Sequence, residues 1–147
     1  MSSNKTEPVI KSQPVFSNVK QIGDSRFFRF ACLAGAIFLV TCLFWLGAKP
    51  VAVGLFPAPL DKVAHFATFG LIASLLWLSV LRGKPWLVIA LVSAVGAADE
   101  FHQIFLPGRS AGLDDLAADV FAALVITSLL EFARRQEEKH TAISPAD

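Results

Sequence analysis

The chain has 147 residues, 54% of them hydrophobic and 17% charged, and its mean hydropathy is +0.58. A soluble domain of that length carries more charge and breaks its apolar residues into shorter runs, so the composition argues against a soluble fold. A net charge of +1 leaves no basic footprint, and no nucleic-acid partner is expected.

Residues 1–26 are polar and read as a disordered cytoplasmic tail. The first apolar run, 27–46, is interrupted only by Arg29 near its start. Crossing ~30 Å of hydrocarbon at ~1.5 Å per helical residue takes about 20 residues, so this run is a membrane span. Its leading segment and apolar core are both too long for a typical cleaved signal, and an uncleaved anchor is expected. Cys32 and Cys42 both fall inside it, roughly 15 Å apart along one helix, too far to bridge. They read as small buried hydrophobes with no redox role.

Lys49-Pro50, Pro57 and Pro59 break the pattern before a second span, 63–81. The stretch PLDKVAHF leads into it. Asp61 reads as the N-cap of a helix beginning at Lys62, and His65 shares its face about 6 Å deeper. Arg82-Gly83-Lys84-Pro85 separates this span from the third, 86–106, which is apolar until Asp99. There Asp99 and Gln103 share a face, His102 lies three residues from Asp99, and Glu100 is turned about 100° away. With the helix expected to run to the Pro107-Gly108 break, Asp99 lies ~10–12 Å from the loop. The fourth span, 116–132, opens with AGLDDLAAD. Its Asp115 and Asp119 form an i, i+4 pair, with Asp119 at a depth similar to Asp99. Residues 134–147 read as a second polar cytoplasmic tail.

The expected architecture is all-α: an integral membrane four-helix bundle over residues 27–133. Lys11, Lys20, Arg26, Arg29, Arg82, Lys84, Arg134, Arg135 and Lys139 flank one side, against Lys49, Lys62 and Arg109 on the other. Positive residues stay inside, so both termini are expected in the cytoplasm. The polar ends of spans two, three and four then share the outer face.

Ionisable groups in hydrocarbon cost at least ~2.5–3.5 kcal/mol each, so these must face a shared interior and find partners there. Six acids (Asp61, Asp99, Glu100, Asp114, Asp115, Asp119) meet two bases, Lys62 and Arg109. Asp99, Glu100 and His65 are the candidate acid–base groups. Lys62, Arg109, Gln103 and Asp115 are the candidate binding groups, with Arg109 suited to clamp phosphate or carboxylate. Asp61, His65, Glu100, His102 and Asp119 are the candidate ligands should a divalent cation bind. Asp114 reads as a solvated loop acid or helix cap.

The motifs DKVAHF (Asp61–Phe66), DEFHQIFLPGR (Asp99–Arg109) and LDDLAAD (Leu113–Asp119) together resemble those of the VanZ-like family of small integral membrane proteins. Asp61, Lys62 and His65 match the first motif, Asp99, Glu100, Gln103 and Arg109 the second, and Asp115 the acid opening the last helix. Two positions depart: Asp119 stands where the family often has Asn, and Ala122 where Gly is usual. The family is named for a protein associated with resistance to the glycopeptide teicoplanin, whose targets are exposed cell-wall precursors. The resemblance therefore implies a multi-pass location in the bacterial cytoplasmic membrane and an envelope role, and supplies no reaction. Asp115 and Asp119 also echo the end of the CDP-alcohol phosphotransferase motif, but its upstream elements are missing at workable spacing.

Three functions compete at this point. The first is binding or modifying an anionic lipid or lipid-linked envelope precursor at the outer leaflet. The second is a small proton or cation transporter, disfavoured by the scarcity of polar residues in the cytoplasmic halves. The third is a non-enzymatic scaffold whose polar cluster only locks four helices together.

Overall fold

The structure, a computed structural model, describes residues 25–143; most of the N-terminal tail and residues 144–147 lie outside them. Four α-helices follow in order: α1 (Arg26–Gly47), α2 (Leu60–Leu78), α3 (Pro85–Gln103) and α4 (Leu113–Ile143), with a short 3-10 turn at Pro50–Ala52. No strand occurs among the described residues, and the fold is all-α.

Local chemistry sets the helix ends. Ser25 caps α1 by accepting from the Phe28 N–H at 3.1 Å. Asp61, expected as the cap of α2, is instead inside its first turn, because the Leu60 N–H already bonds the Pro57 carbonyl at 2.8 Å. There its carboxylate still favours the positive end of the helix and accepts from the Lys62 N–H at 2.8 Å. The Ser79 N–H bonds back to Leu75 and Leu76 to close α2, and Gly83 turns the chain at φ 80° before Pro85 opens α3.

The third helix ends three residues earlier than expected, at Gln103 rather than 106. Tight turns take over, with the Phe105 N–H on His102 and the Leu106 N–H on Gln103, both at 3.1 Å. Gly108, at φ 77°, then reverses the chain. Asp99 consequently lies about one turn from the helix end, closer to the loop than the sequence suggested. At the far end, the polar segment from residue 134 remains helical to Ile143. It holds no Pro or Gly, and its Arg, Gln, Glu and Lys are good helix formers.

Helices α2, α3 and α4 share the core, built from Phe69, Ile72, Trp77, Val88, Val92 and Ala122. Helices α2 and α4 run in the same direction, and Gly70 lets Ile126 come close. Helix α1 packs outside them, burying Cys32 and Ala36, with the Arg29 Nε donating to the Ser79 carbonyl at 3.1 Å. Both cysteines are free thiols.

The outer surface identifies the solvent. Phe38, Trp45, Phe101, Phe105, Leu129 and Phe132 are each at least 60% exposed, an apolar surface too extensive for water. Helices α1 and α4 are each long and apolar enough to cross a bilayer. Only 11% of the most apolar stretch of α1 is buried within the protein, unlike the core helix of a soluble domain. Helices α2 and α3, at 19 residues each, carry acids and imidazoles at one end. The chain is a helical membrane protein.

Candidate functional site

The topology brings the start of α2, the end of α3, the start of α4 and the loop after α1 to one end of the bundle. The polar residues there fall into three layers with a recess beside them.

The outermost layer is built around Lys62. Its ammonium lies 2.7 Å from Asp61 and 2.8 Å from Asp114, and it also binds Asp115 Oδ1. Hydrogen bonds to Asp114, Asp115 and Asp61 hold Lys62 well above the usual lysine range. The same ammonium holds Asp61 and Asp114 below the usual carboxylate range. Asp114, readable in the sequence only as a loop acid or cap, is therefore the third arm of a lysine-centred clamp. Lys62 is surrounded by carboxylates, and an incoming phosphate would have to displace one of them.

The middle layer joins three helices. His65 from α2, Glu100 from α3 and Asp115 from α4 each present a ligand-type atom within 4.8 Å of the other two. Glu100 accepts from the Gly112 N–H at 2.6 Å and from the Gln103 amide at 3.4 Å. It thereby ties the loop before α4 onto the end of α3. The Gln103 amide also donates to Asp99 at 3.0 Å, so one side chain bridges the two neighbouring acids despite their angular separation on the helix.

The innermost layer is Asp119, which is fully buried. Its Oδ1 lies 2.9 Å from His65 Nδ1, and the imidazole stacks on Phe69 with ring centroids 5.9 Å apart. With Asp119 accepting from Nδ1–H, Nε2 becomes the free nitrogen of His65. The second oxygen of Asp119 is buried without a donor. Gly96 of α3 faces it so closely that a Cβ there would stand 2.8 Å away. Asp99, Glu100 and Asp119 are all buried, and none has a Lys or Arg ion-pair partner among the described residues.

Arg109 does not reach these acids. Its Nη1 donates to the Ala52 carbonyl at 3.0 Å, and its Nε is buried without a partner. It lines a recess of about 180 Å³ together with Asp61, His65, Thr68 and an apolar wall that includes Leu43 and Phe56. Nothing in the sequence marked Phe56 or Thr68, because the recess depends on how the α1–α2 loop folds over the bundle.

His102 stands apart from the other candidate ligands. Its ring packs on Phe44 at 5.4 Å, its Nδ1 is buried without a partner, and it lies outside the His65–Glu100–Asp115 group. Asp61 and Asp119 also lie outside that group, the first in the lysine clamp and the second behind His65.

A family model described as VanZ/LLP1 matches residues 3–134, which includes all three motifs and every layer of the site. No curated protein and no solved structure matches the chain.

Proposed function

This chain belongs to the VanZ/LLP1 family, and we propose that it holds the anionic headgroup of a membrane lipid or lipid-linked envelope precursor. The pocket opens on the outer face of the bacterial cytoplasmic membrane, with four spans and both termini inside. The positive-inside distribution supports that direction: Arg29, Arg82, Lys84, Arg134 and Arg135 gather at the end opposite the recess.

One observation carries this reading: the buried, unpartnered Nε of Arg109 beside a recess that is part polar and part apolar. A guanidinium left with unused donors is matched by the oxygens of a phosphate or carboxylate. The apolar wall suits the first carbons of a lipid anchor. His65, Asp99 and Glu100 are the groups available for acid–base chemistry on the bound headgroup.

The competing readings fit less well. A continuous ion path is opposed by the apolar core beneath Asp99 and Asp119, where Phe69, Ile72, Val92 and Ala122 are fully buried. A cluster serving only to lock helices would satisfy its own donors and acceptors, whereas Arg109 Nε and Asp119 Oδ2 are left over.

Purified protein in neutral detergent is titrated with phosphatidylglycerol, a polyprenyl phosphate and phosphatidylcholine, following binding by native mass spectrometry. Binding of the anionic ligands over phosphatidylcholine is expected, and the preferred anionic arm separates a bulk lipid from a lipid-linked carrier. Arg109→Ala should weaken binding by about 10- to 100-fold, the scale of one charged hydrogen-bonding group. Equal affinity for all three ligands, or an unaffected Arg109→Ala protein, would overturn the reading.

A further inference from the structure

The middle layer has the makings of a metal centre. Around an ion bound tetrahedrally at ~2.0–2.2 Å, ligand atoms stand about 3.3–3.6 Å from one another. The donor atoms of His65, Glu100 and Asp115 already lie within 4.8 Å of one another, so side-chain adjustments of about 1 Å close the set. They come from three different helices, which fixes their spacing through the packing of the bundle rather than through one mobile loop.

Each of the three is also oriented from behind. Asp119 holds Nδ1 of His65, the Gly112 N–H and Gln103 hold Glu100, and Lys62 holds Asp115 through Oδ1. A carboxylate behind a ligating imidazole is the arrangement that sets the tautomer and raises ligand basicity in metal sites. A second observation is independent of that geometry. Asp99, Glu100 and Asp119 are buried with no Lys or Arg partner among the described residues, and Asp119 keeps a fully buried oxygen with no donor. Of these three acids only Asp119 meets a group able to carry positive charge, the His65 imidazole at 2.9 Å, and burying carboxylates with so little compensation is costly.

We propose that His65, Glu100 and Asp115 bind a divalent cation of the Zn²⁺ or Mn²⁺ kind. The imidazole selects such ions over Mg²⁺ and Ca²⁺, which prefer all-oxygen sets. Three protein ligands leave a coordination position open. Because His65 also lines the recess that contains Arg109, that position is available to an oxygen of the headgroup. Only this last step rests on the proposed function; occupancy of the site by the ion does not.

The test is therefore run without added lipid. Purified protein is stripped with a chelator, loaded separately with Zn²⁺ or Mn²⁺ and desalted. Bound metal is counted by elemental analysis, and affinity is measured by competition with a chromogenic chelator. About one ion per chain is expected, resistant to millimolar Mg²⁺. Asp115→Asn and His65→Gln should each weaken it by at least about 10-fold, while Glu138→Gln, which alters an exposed acid near the far end of α4, should leave it intact. Circular dichroism confirms that each variant compared is folded. The proposal fails if wild-type protein retains no stoichiometric Zn²⁺ or Mn²⁺, or if Glu138→Gln loses metal as Asp115→Asn does. Metal binding without headgroup binding would sink the functional reading and leave this one standing; headgroup binding without metal would do the reverse.

Discussion

Asp119 and Gly96 fit together at a spacing that no other residue at position 96 permits without movement. A Cβ on Gly96 would lie 2.8 Å from Asp119 Oδ2 and 3.1 Å from its Cβ, closer than unstrained atoms approach. The glycine thus sets how near α3 comes to α4, and so how near Glu100 comes to Asp115 and His65.

Gly96→Ala is expected to destabilise the bundle. Overpacking costs about 1–3 kcal/mol, only partly offset by the ~1 kcal/mol that Ala gains over Gly within a helix. Gly35→Ala is the matched control, because its nearest neighbour, a Leu75 methyl, would stand at an ordinary 3.6 Å. Thermal unfolding in detergent should show Gly96→Ala below wild type and Gly35→Ala at or above it. Equal melting temperatures for the two variants would show that the close approach at Gly96 carries no strain.

Much of this arrangement was legible in the sequence, for definite reasons. Apolar runs of membrane length between Pro- and Gly-containing breaks give four helices, and alternating direction puts Asp61, Asp99 and Asp119 at one end. Partners within a helix follow from periodicity, as with Gln103 and Asp99. Partners between helices do not. That Lys62 collects three carboxylates while Arg109 turns to the Ala52 carbonyl depends on helix rotation and on the course of the loop after α1. The early end of α3 was hidden because Ile104, Phe105 and Leu106 are apolar and continue the hydrophobic run after the helix has stopped. His102 shows the same limit: it sits one turn from Asp99 on α3, yet its ring packs on Phe44 of α1 and stays outside the His65–Glu100–Asp115 group.

The lysine clamp gives a defined pH window. Lys62 is raised, so its contribution to stability is complete below its unfolded pKa of about 10.4 and is lost as pH rises through the folded value. Asp61 and Asp114 are lowered, so theirs is present above about pH 3.9 and lost as pH falls through their folded values. The difference in melting temperature between wild type and Lys62→Met should therefore be constant from about pH 5 to pH 9 and shrink below about pH 4. The clamp is partly solvent-exposed, so 1 M salt should narrow the difference as well. A difference that is unchanged at pH 3 would mean the carboxylates contribute nothing through Lys62.

Membrane direction can be read chemically. Ser110 is exposed on the α3–α4 loop, and Lys139 is exposed near the end of α4. In a cysteine-free background, Ser110→Cys should react with a membrane-impermeant maleimide in intact cells. Lys139→Cys should react only after permeabilisation. The reverse pattern would place the recess and Arg109 on the cytoplasmic side and remove the outer-leaflet reading.

Asp119→Asn separates a structural role for the innermost acid from an electronic one. The amide oxygen can still accept from His65 Nδ1–H, preserving the 2.9 Å contact and the imidazole orientation. The amide nitrogen would take the place of Oδ2, an atom with no donor to lose. The variant should therefore fold with a melting temperature near that of wild type. It lacks the negative charge that raises the basicity of His65, and removing such a partner behind a ligand typically costs about 10- to 100-fold in metal affinity. Zn²⁺ affinity should fall on that scale in Asp119→Asn while the fold is kept. Asp119→Ala, which also removes the acceptor and leaves a cavity, should lose both stability and metal. If Asn sustained wild-type affinity, Asp119 would serve to orient His65 and no more. Its charge would then need another explanation, because a fully buried carboxylate is costly wherever a neutral residue does the same work.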